Sequence, residues 1–319
     1  MTNKQKYRNF CKVEKDIPIF SQDWWLDLVC NEDNWDVILY EKGGQIWGSM
    51  PYYKDIQYMF NMIIMPKFTQ TMGPYIKYPD NQKYYKKLSW EKEIMNYFID
   101  NLPKTNFFYQ NFHYSITNWL PFYWKGFKQT TRYTYVIEDL TNLDDVISNF
   151  SHAKRKQFKK AIKNNIRVEL DYITVREFYD LHKKELLSEG SEKISYSMQL
   201  LEKLYNTSKR KNNGAFFVAI DSNNVVHGAL FVVWDKNSAY NLISAFNPKY
   251  FNSGATTLLI VEALKYFKSI NINKFDFEGS MLEGVENSFK QFSTVQKPYF
   301  QITKAKNRLF LVVFTILKG

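Results

Sequence analysis

The densest group of residues able to do chemistry on a sequence-read strand is Phe275-Asp276-Phe277-Glu278-Gly279-Ser280. Side chains alternate along a strand, so Phe275 and Phe277 share one face and Asp276 and Glu278 the other. Two carboxylates leaving the end of a strand on one face, followed by glycine, suit a cleft. One of them would orient an amine nucleophile or take its proton. A solvated sheet end, or a cap on the next segment, would use the same residues. Downstream, Phe289-Lys290-Gln291-Phe292 and Lys297-Pro298-Tyr299-Phe300 bring a lysine and aromatic rings toward the same sheet end. There Lys290 can neutralise a phosphate or carboxylate.

Two segments are suited to anions. The loop Asn247 to Thr257 contains Ser253-Gly254-Ala255-Thr256, small residues that open a helix and leave its first backbone N–H groups free. The segment Pro66 to Pro74 has a similar character in the first half. Between the halves, Ser151 caps a helix carrying Lys154, Arg155, Lys156, Lys159, Lys160 and Lys163, with Arg167 beyond, and Phe158, Ala161 and Ile162 as its apolar face. Like charges at i, i+4 spacing repel, a cost that favours a phosphate partner, of a nucleotide cofactor or of RNA. A solvated lysine face is the plain alternative. Phosphate-loop, dinucleotide-binding, nucleophile-elbow and Cys-x-x-Cys motifs are absent. His113, His152, His182 and His227 lack metal-ligand spacing, so no metal is expected.

The elements that must position these residues occur twice. Trp35 to Tyr40, a turn, and Gln45 to Tyr53 read as a hairpin, as do Ala215 to Ile220, a turn, and Val225 to Trp234. The two align without a gap, Ile38 on Val218 and Gly48 on Gly228. A helix near Tyr84 to Asn101 then precedes a strand at Asn106 to Gln110. Likewise a helix from Ala255 to Ile270, with Leu259, Ala263, Tyr266 and Ile270 as its buried stripe, precedes a strand at Lys274 to Glu278. This order implies a duplicated α/β domain. The expected divisions are 1–140, 141–305 beginning with the basic helix, and a segment 306–319 that closes the second domain or returns to the first.

The chain has 319 residues, 45% apolar and 24% charged, which excludes disorder, collagen and coiled coil. A net charge of +11 calls for an anionic partner or marks a solubilising surface. Cys11 and Cys30 cannot make a disulfide framework, and a reduced cytoplasm is the simpler expectation. The longest apolar run, Leu309 to Leu317, is about half the ~20 residues of a spanning helix. The basic N-terminus is not followed by an apolar core, so no signal peptide is read.

The repeated order, the Ser253-Gly254-Ala255 helix opening and the Asp276 to Ser280 segment resemble the GNAT-fold acyltransferases. They are most similar to the tandem group that includes the Fem-type peptidoglycan-bridge aminoacyltransferases and BioF2-like acetyltransferases. Trp124-Lys125-Gly126-Phe127, the Arg132 to Ile137 strand and the Ser151 to Lys163 helix add to the likeness, which covers roughly residues 35–305. Against the usual Arg/Gln-x-x-Gly-x-Gly/Ala loop, Tyr250 replaces the basic or amide residue and Ser253 the first glycine. Phe292-Ser293-Thr294 departs from the usual Phe-Gly, and the stretch between Asp171 and Asn213 is too short for a long helical arm.

The resemblance implies two tandem GNAT-like α/β (α+β) domains, each a mixed, mostly antiparallel sheet flanked by helices. It implies a bacterial, cytoplasmic enzyme moving an acyl group from acyl-CoA, acetyl-CoA for instance, to an amine of an amino sugar or amino acid. An aminoacyl-tRNA donor in cell-wall peptide synthesis, with a glycan or peptide amine acceptor, and a non-catalytic binding protein are the alternatives. Under it Glu278 and Asp276 are the catalytic pair. Ser253, Gly254, Ala255, Thr256, Arg155, Lys159 and Lys160 hold the donor, and Lys290, Tyr299, Arg132 and His113 meet the acceptor.

Overall fold

The computed structural model describes residues 1–190, 194–279, 281–307 and 310. The backbone divides into two compact units, one of residues 1–132 with the chain from 298 on, the other of residues 133–297.

In the first unit α1 (Asn3–Val13) opens on a capping box between Thr2 and Gln5, and α2 (Asp23–Cys30) follows. Cys11 and Cys30 are free and buried. β1 (Trp35–Lys42) and β2 (Gln45–Gln57) form the expected hairpin. It turns through Gly43 and Gly44, both at the positive φ that a tight hairpin turn demands. β3 (Phe60–Ile64) and β4 (Tyr75–Ile76) pair with β2. α3 (Tyr84–Asp100) covers the sheet with Ile94, Met95 and Phe98. β5 (Phe107–Asn111) lies parallel to β3 through two residue pairs, and α4 (Leu120–Trp124) comes next. The other side of β5 is taken by residues 301–305, antiparallel.

β6 (Lys128–Ile137) enters the second unit at Tyr133. α5 (Leu143–Ser148) and α6 (His152–Lys163) lead into β7 (Arg167–Leu170), α7 (Val175–Ser188) and α8 (Met198–Arg210). An antiparallel meander, β8 (Gly214–Ile220), β9 (Val226–Trp234) and β10 (Ala239–Phe246), is extended at its β8 edge by β7. Then come α9 (Ala255–Ser269), β11 (Phe275–Asp276), α10 (Glu283–Phe289) and β12 (Val295–Ala305). β8 and β9 are buried on nearly every residue because helices cover both faces. Phe178 and Tyr205 stack on Phe216 from one side, while Tyr266 and Phe267 of α9 pack on Phe217 from the other.

Several local expectations change. α9 is buried almost all round, from Leu258 through Val261 without a break, because α6 clasps the side that the sheet does not cover. Ile270 lies past its last turn and is exposed. On α6 Ile162 is exposed, and Lys154 takes the buried place one turn before Phe158. The strand read at 274–278 is only Phe275–Asp276, because Glu278 adopts φ 53° and breaks the alternation. The division points 140 and 305 also move. Residues 136 and 137 pair with β11 in the second unit, and residues 301–305 pair with β5 in the first. Most of the 306–319 segment, with its apolar run from Leu309, lies outside the described residues, as do Ser280 and residues 191–193.

The α6–α9 contact depends on Gly254, the residue before α9, at φ 91°. A Cβ there would sit 2.2 Å from the Gln157 carbonyl oxygen and 3.0 Å from the Ala161 nitrogen, so the helix backbone leaves it no space. Gly254→Ala is expected to destabilise the second unit by about 2–4 kcal/mol through forced separation and positive-φ strain, measured by urea unfolding.

Candidate active site

The site begins where two parallel strands part. β10 and β11 share only the pairs Ala239–Phe275 and Tyr240–Asp276. β10 then continues to Phe246 through a bulge between Asn241 and Ile243. The other chain stays with β6, where Phe277 N–H donates to the Tyr135 carbonyl at 2.9 Å. On the α9 side of the opening lies a cavity of about 490 Å³ bordered by Asn241, Ser244, Phe246, Ile260, Phe277 and Phe289. Its β10 wall is anchored by α7, since Glu185 Oε2 accepts the Phe246 N–H at 2.8 Å. Burial pushes that carboxyl up to about 7.

The opposite face of β11 carries Asp276, and Glu278 follows two residues on, beyond the strand. Asp276 is 1% exposed. Its Oδ1 accepts the Thr134 hydroxyl and, at 2.8 Å, the Glu278 N–H. The Thr134 oxygen in turn accepts the Gly279 N–H at 2.9 Å. This bonding draws the chain so close to β6 that a Cβ on Gly279 would fall 1.8 Å from the Tyr133 carbonyl oxygen. Burial raises the Asp276 carboxyl to about 6, against the hydrogen bonds from Thr134 and Glu278 that favour its charged form. Burial, reinforced by the Asp276 charge, holds Glu278 well above the ordinary carboxylate range. Glu278 is only half-buried as a residue, yet its Oε1 is sealed and has no hydrogen-bond partner among the described residues. A carboxyl in that condition, beside a second buried acid, is a candidate functional group.

The other expected site residues are distributed as follows. Thr256 borders the cavity. Ser253 Oγ receives the Ala255 N–H at 3.3 Å, and Gly254 is packed on α6, so the opening turn of α9 spends its small residues on caps and contacts. Arg155 donates to the Ser148 and Phe150 carbonyls and so fastens the α5–α6 connection. Lys159 and Lys160 are exposed on α6. Lys290, at the end of α10, pairs with Glu286 at 3.1 Å. Arg132, His113 and Tyr299 belong to the first unit. There Arg132 donates to Gln301 at 3.1 Å, His113 meets Ser115 at 2.8 Å, and Tyr299 is buried. Thr134 and Lys154 were not singled out from sequence. Thr134 needed the β6–β11 register, whereas Lys154 was detectable as a lysine on the Phe158–Ala161 stripe. Among the described residues no group of histidine, cysteine and acid side chains could hold a metal ion.

The first unit has its own parting pair, β3 and β5, but the chain fills that opening. Met72 N–H donates to the Asn111 carbonyl at 2.6 Å, Asn111 Nδ2 donates to the Gln70 carbonyl at 3.0 Å, and Met72 bridges to Phe112.

Residues 148–291 match the model of the acetyltransferase (GNAT) domain family. No curated protein matches the sequence. Among solved structures, FemX is similar with a TM-score of 0.68 at 12% identity, over 94% of this chain and 96% of that one. L-PGS from Bacillus licheniformis gives 0.53 at 9% identity, over 88% and 87%. A tandem GNAT protein from the clavulanic acid biosynthesis pathway gives 0.50 at 9%, over 86% and 83%. Residues 148–291 are thus a GNAT acetyltransferase domain, and the described fold is that of the tandem GNAT, FemAB-like acyltransferases.

Because Asp276 binds its proton more tightly in the fold, to about 6 against 3.8 unperturbed, its stabilising effect is complete below pH 4 and lost as pH rises through 6. Asp276→Asn, which keeps an oxygen acceptor, is expected to lessen the decline in unfolding free energy between pH 4 and 7 by up to about 3 kcal/mol, followed by urea titration.

Proposed function

We propose that the protein is a cytoplasmic N-acyltransferase that takes an acyl group from acyl-CoA and places it on an amine of an amino sugar or amino acid. The observation that carries this reading is the parting of β10 from β11, with an apolar cavity on one face, Asp276 on the other and the buried Glu278 carboxyl close to Asp276. The donor's acyl-pantetheine arm would occupy the cavity and bring its thioester carbonyl into the opening, leaving the acceptor amine to approach from the acid face. Glu278 takes the proton from nitrogen as the C–N bond forms. The C–S bond then breaks, and the thiolate leaves and is protonated by water. Backbone N–H groups of β10 freed by the parting steady the carbonyl oxygen, and holding the two reactants together supplies much of the remaining acceleration. Asp276, bonded to Thr134, keeps Glu278 basic through its negative charge.

Glu278→Gln is expected to lower kcat by about 10²–10⁴-fold while the protein still binds acetyl-CoA, seen by native mass spectrometry. Unchanged turnover removes Glu278 from the chemistry. The acid limb of wild-type kcat/KM should move to lower pH in Asp276→Asn, because removing the neighbouring charge makes Glu278 easier to ionise.

A second reading, transfer from aminoacyl-tRNA to a cell-wall peptide, is favoured by the exposed Lys156, Lys159, Lys160 and Lys163 of α6. On that reading affinity for bulk tRNA should fall by about 10²-fold or more between 50 and 200 mM salt in a filter-binding assay. No binding at the lower salt eliminates it.

A further inference from the structure

Lys154 stands apart from the other lysines of α6. It shares a helix stripe with Phe158 and Ala161, and it is 7% exposed. Its Nζ lies 4.3 Å above the Phe292 ring and donates to Ser288 Oγ at 3.0 Å. No carboxylate pairs with it among the described residues, and burial alone brings its ammonium down to about 8. A buried charge with no counter-ion is costly to keep, and an isosteric apolar side chain over Phe292 would avoid that cost.

The cost becomes intelligible from what lies beyond the lysine. Ser288 and Phe292 are both walls of the 490 Å³ cavity. Since Ser288 Oγ receives the Lys154 proton, its own O–H is left to donate to a further acceptor. At the opening of α9, Gly254 packs on α6 and Ser253 caps the Ala255 N–H.

We infer that the molecule held in this cavity carries an anionic group, and that Ser288 backed by Lys154 is where that group docks. The inference rests on the acyl-donor reading above and adds the charge of its ligand. The anion has two sources, the phosphates of the donor or a carboxylate on the transferred acyl group.

Isothermal titration with three thioesters separates them: acetyl-CoA, uncharged S-acetylpantetheine and S-succinylpantetheine. Wild-type protein is expected to bind at least one charged thioester about tenfold or more tighter than S-acetylpantetheine. Preference for acetyl-CoA assigns the phosphates, and preference for S-succinylpantetheine assigns the acyl carboxylate. In Lys154→Met the preference should collapse to about twofold or less, with affinity for S-acetylpantetheine unchanged and Tm raised. Ser288→Ala, which retains the lysine, should weaken the same preference. No preference in wild type, or an equal loss for all three thioesters in Lys154→Met, overturns the inference and leaves the donor reading intact. Failure of all three to bind wild type overturns the donor reading as well.

Discussion

One hydroxyl joins the two strands that frame the candidate site. Thr134 gives its proton to Asp276 and accepts the amide proton of Gly279, so β6 and the chain leaving β11 are bonded side chain to side chain as well as through their backbones. This draws β11 toward β6 just where β10 stops pairing with it. The strand that would otherwise close the sheet is held open, and Glu278 is forced into a left-handed conformation that few non-glycine residues adopt. Such strain persists only where surrounding contacts over-determine it, and here the close approach of Gly279 to Tyr133 does so.

The same arrangement separates two environments across one short strand. Phe275 and Phe277 join the apolar core around α9, and Asp276 faces the other way. These two surfaces match in character the apolar arm and the polar nitrogen of the proposed donor and acceptor. The charge expense is borne in two places, by Asp276 with Glu278 and by Lys154. Each is a buried ionisable group whose protonation the fold disfavours or exaggerates, a pattern that concentrates at functional sites.

Much of this was legible in the sequence because it is local. The two hairpins and both long helices follow from alternation, helical periodicity and turn residues, and the Asp276 to Gly279 cluster declares itself by composition. What escaped is set by register and packing. Thr134 has no chemical signature until β6 is laid beside β11. The buried stripe of α9 looked narrower than it is, because α6 comes from elsewhere in the chain. Lys154 hid among six other basic residues, though its helical phase with Phe158 and Ala161 distinguished it. The role of the Ser253 to Thr256 turn, with Gly254 fitted against α6, likewise depends on a neighbour a hundred positions away.

The strand at residues 301–305 has a consequence for the order in which the protein is assembled on the ribosome. The second unit is a continuous stretch, 133–297, all of which has emerged before residues 301–305 are made. The first unit, although its opening helices and hairpin are synthesised earliest, must leave one border of β5 without a neighbour until the final strand arrives. The half translated first is therefore completed last, and its bare β5 border is the point at which a nascent chain is open to pairing with another copy.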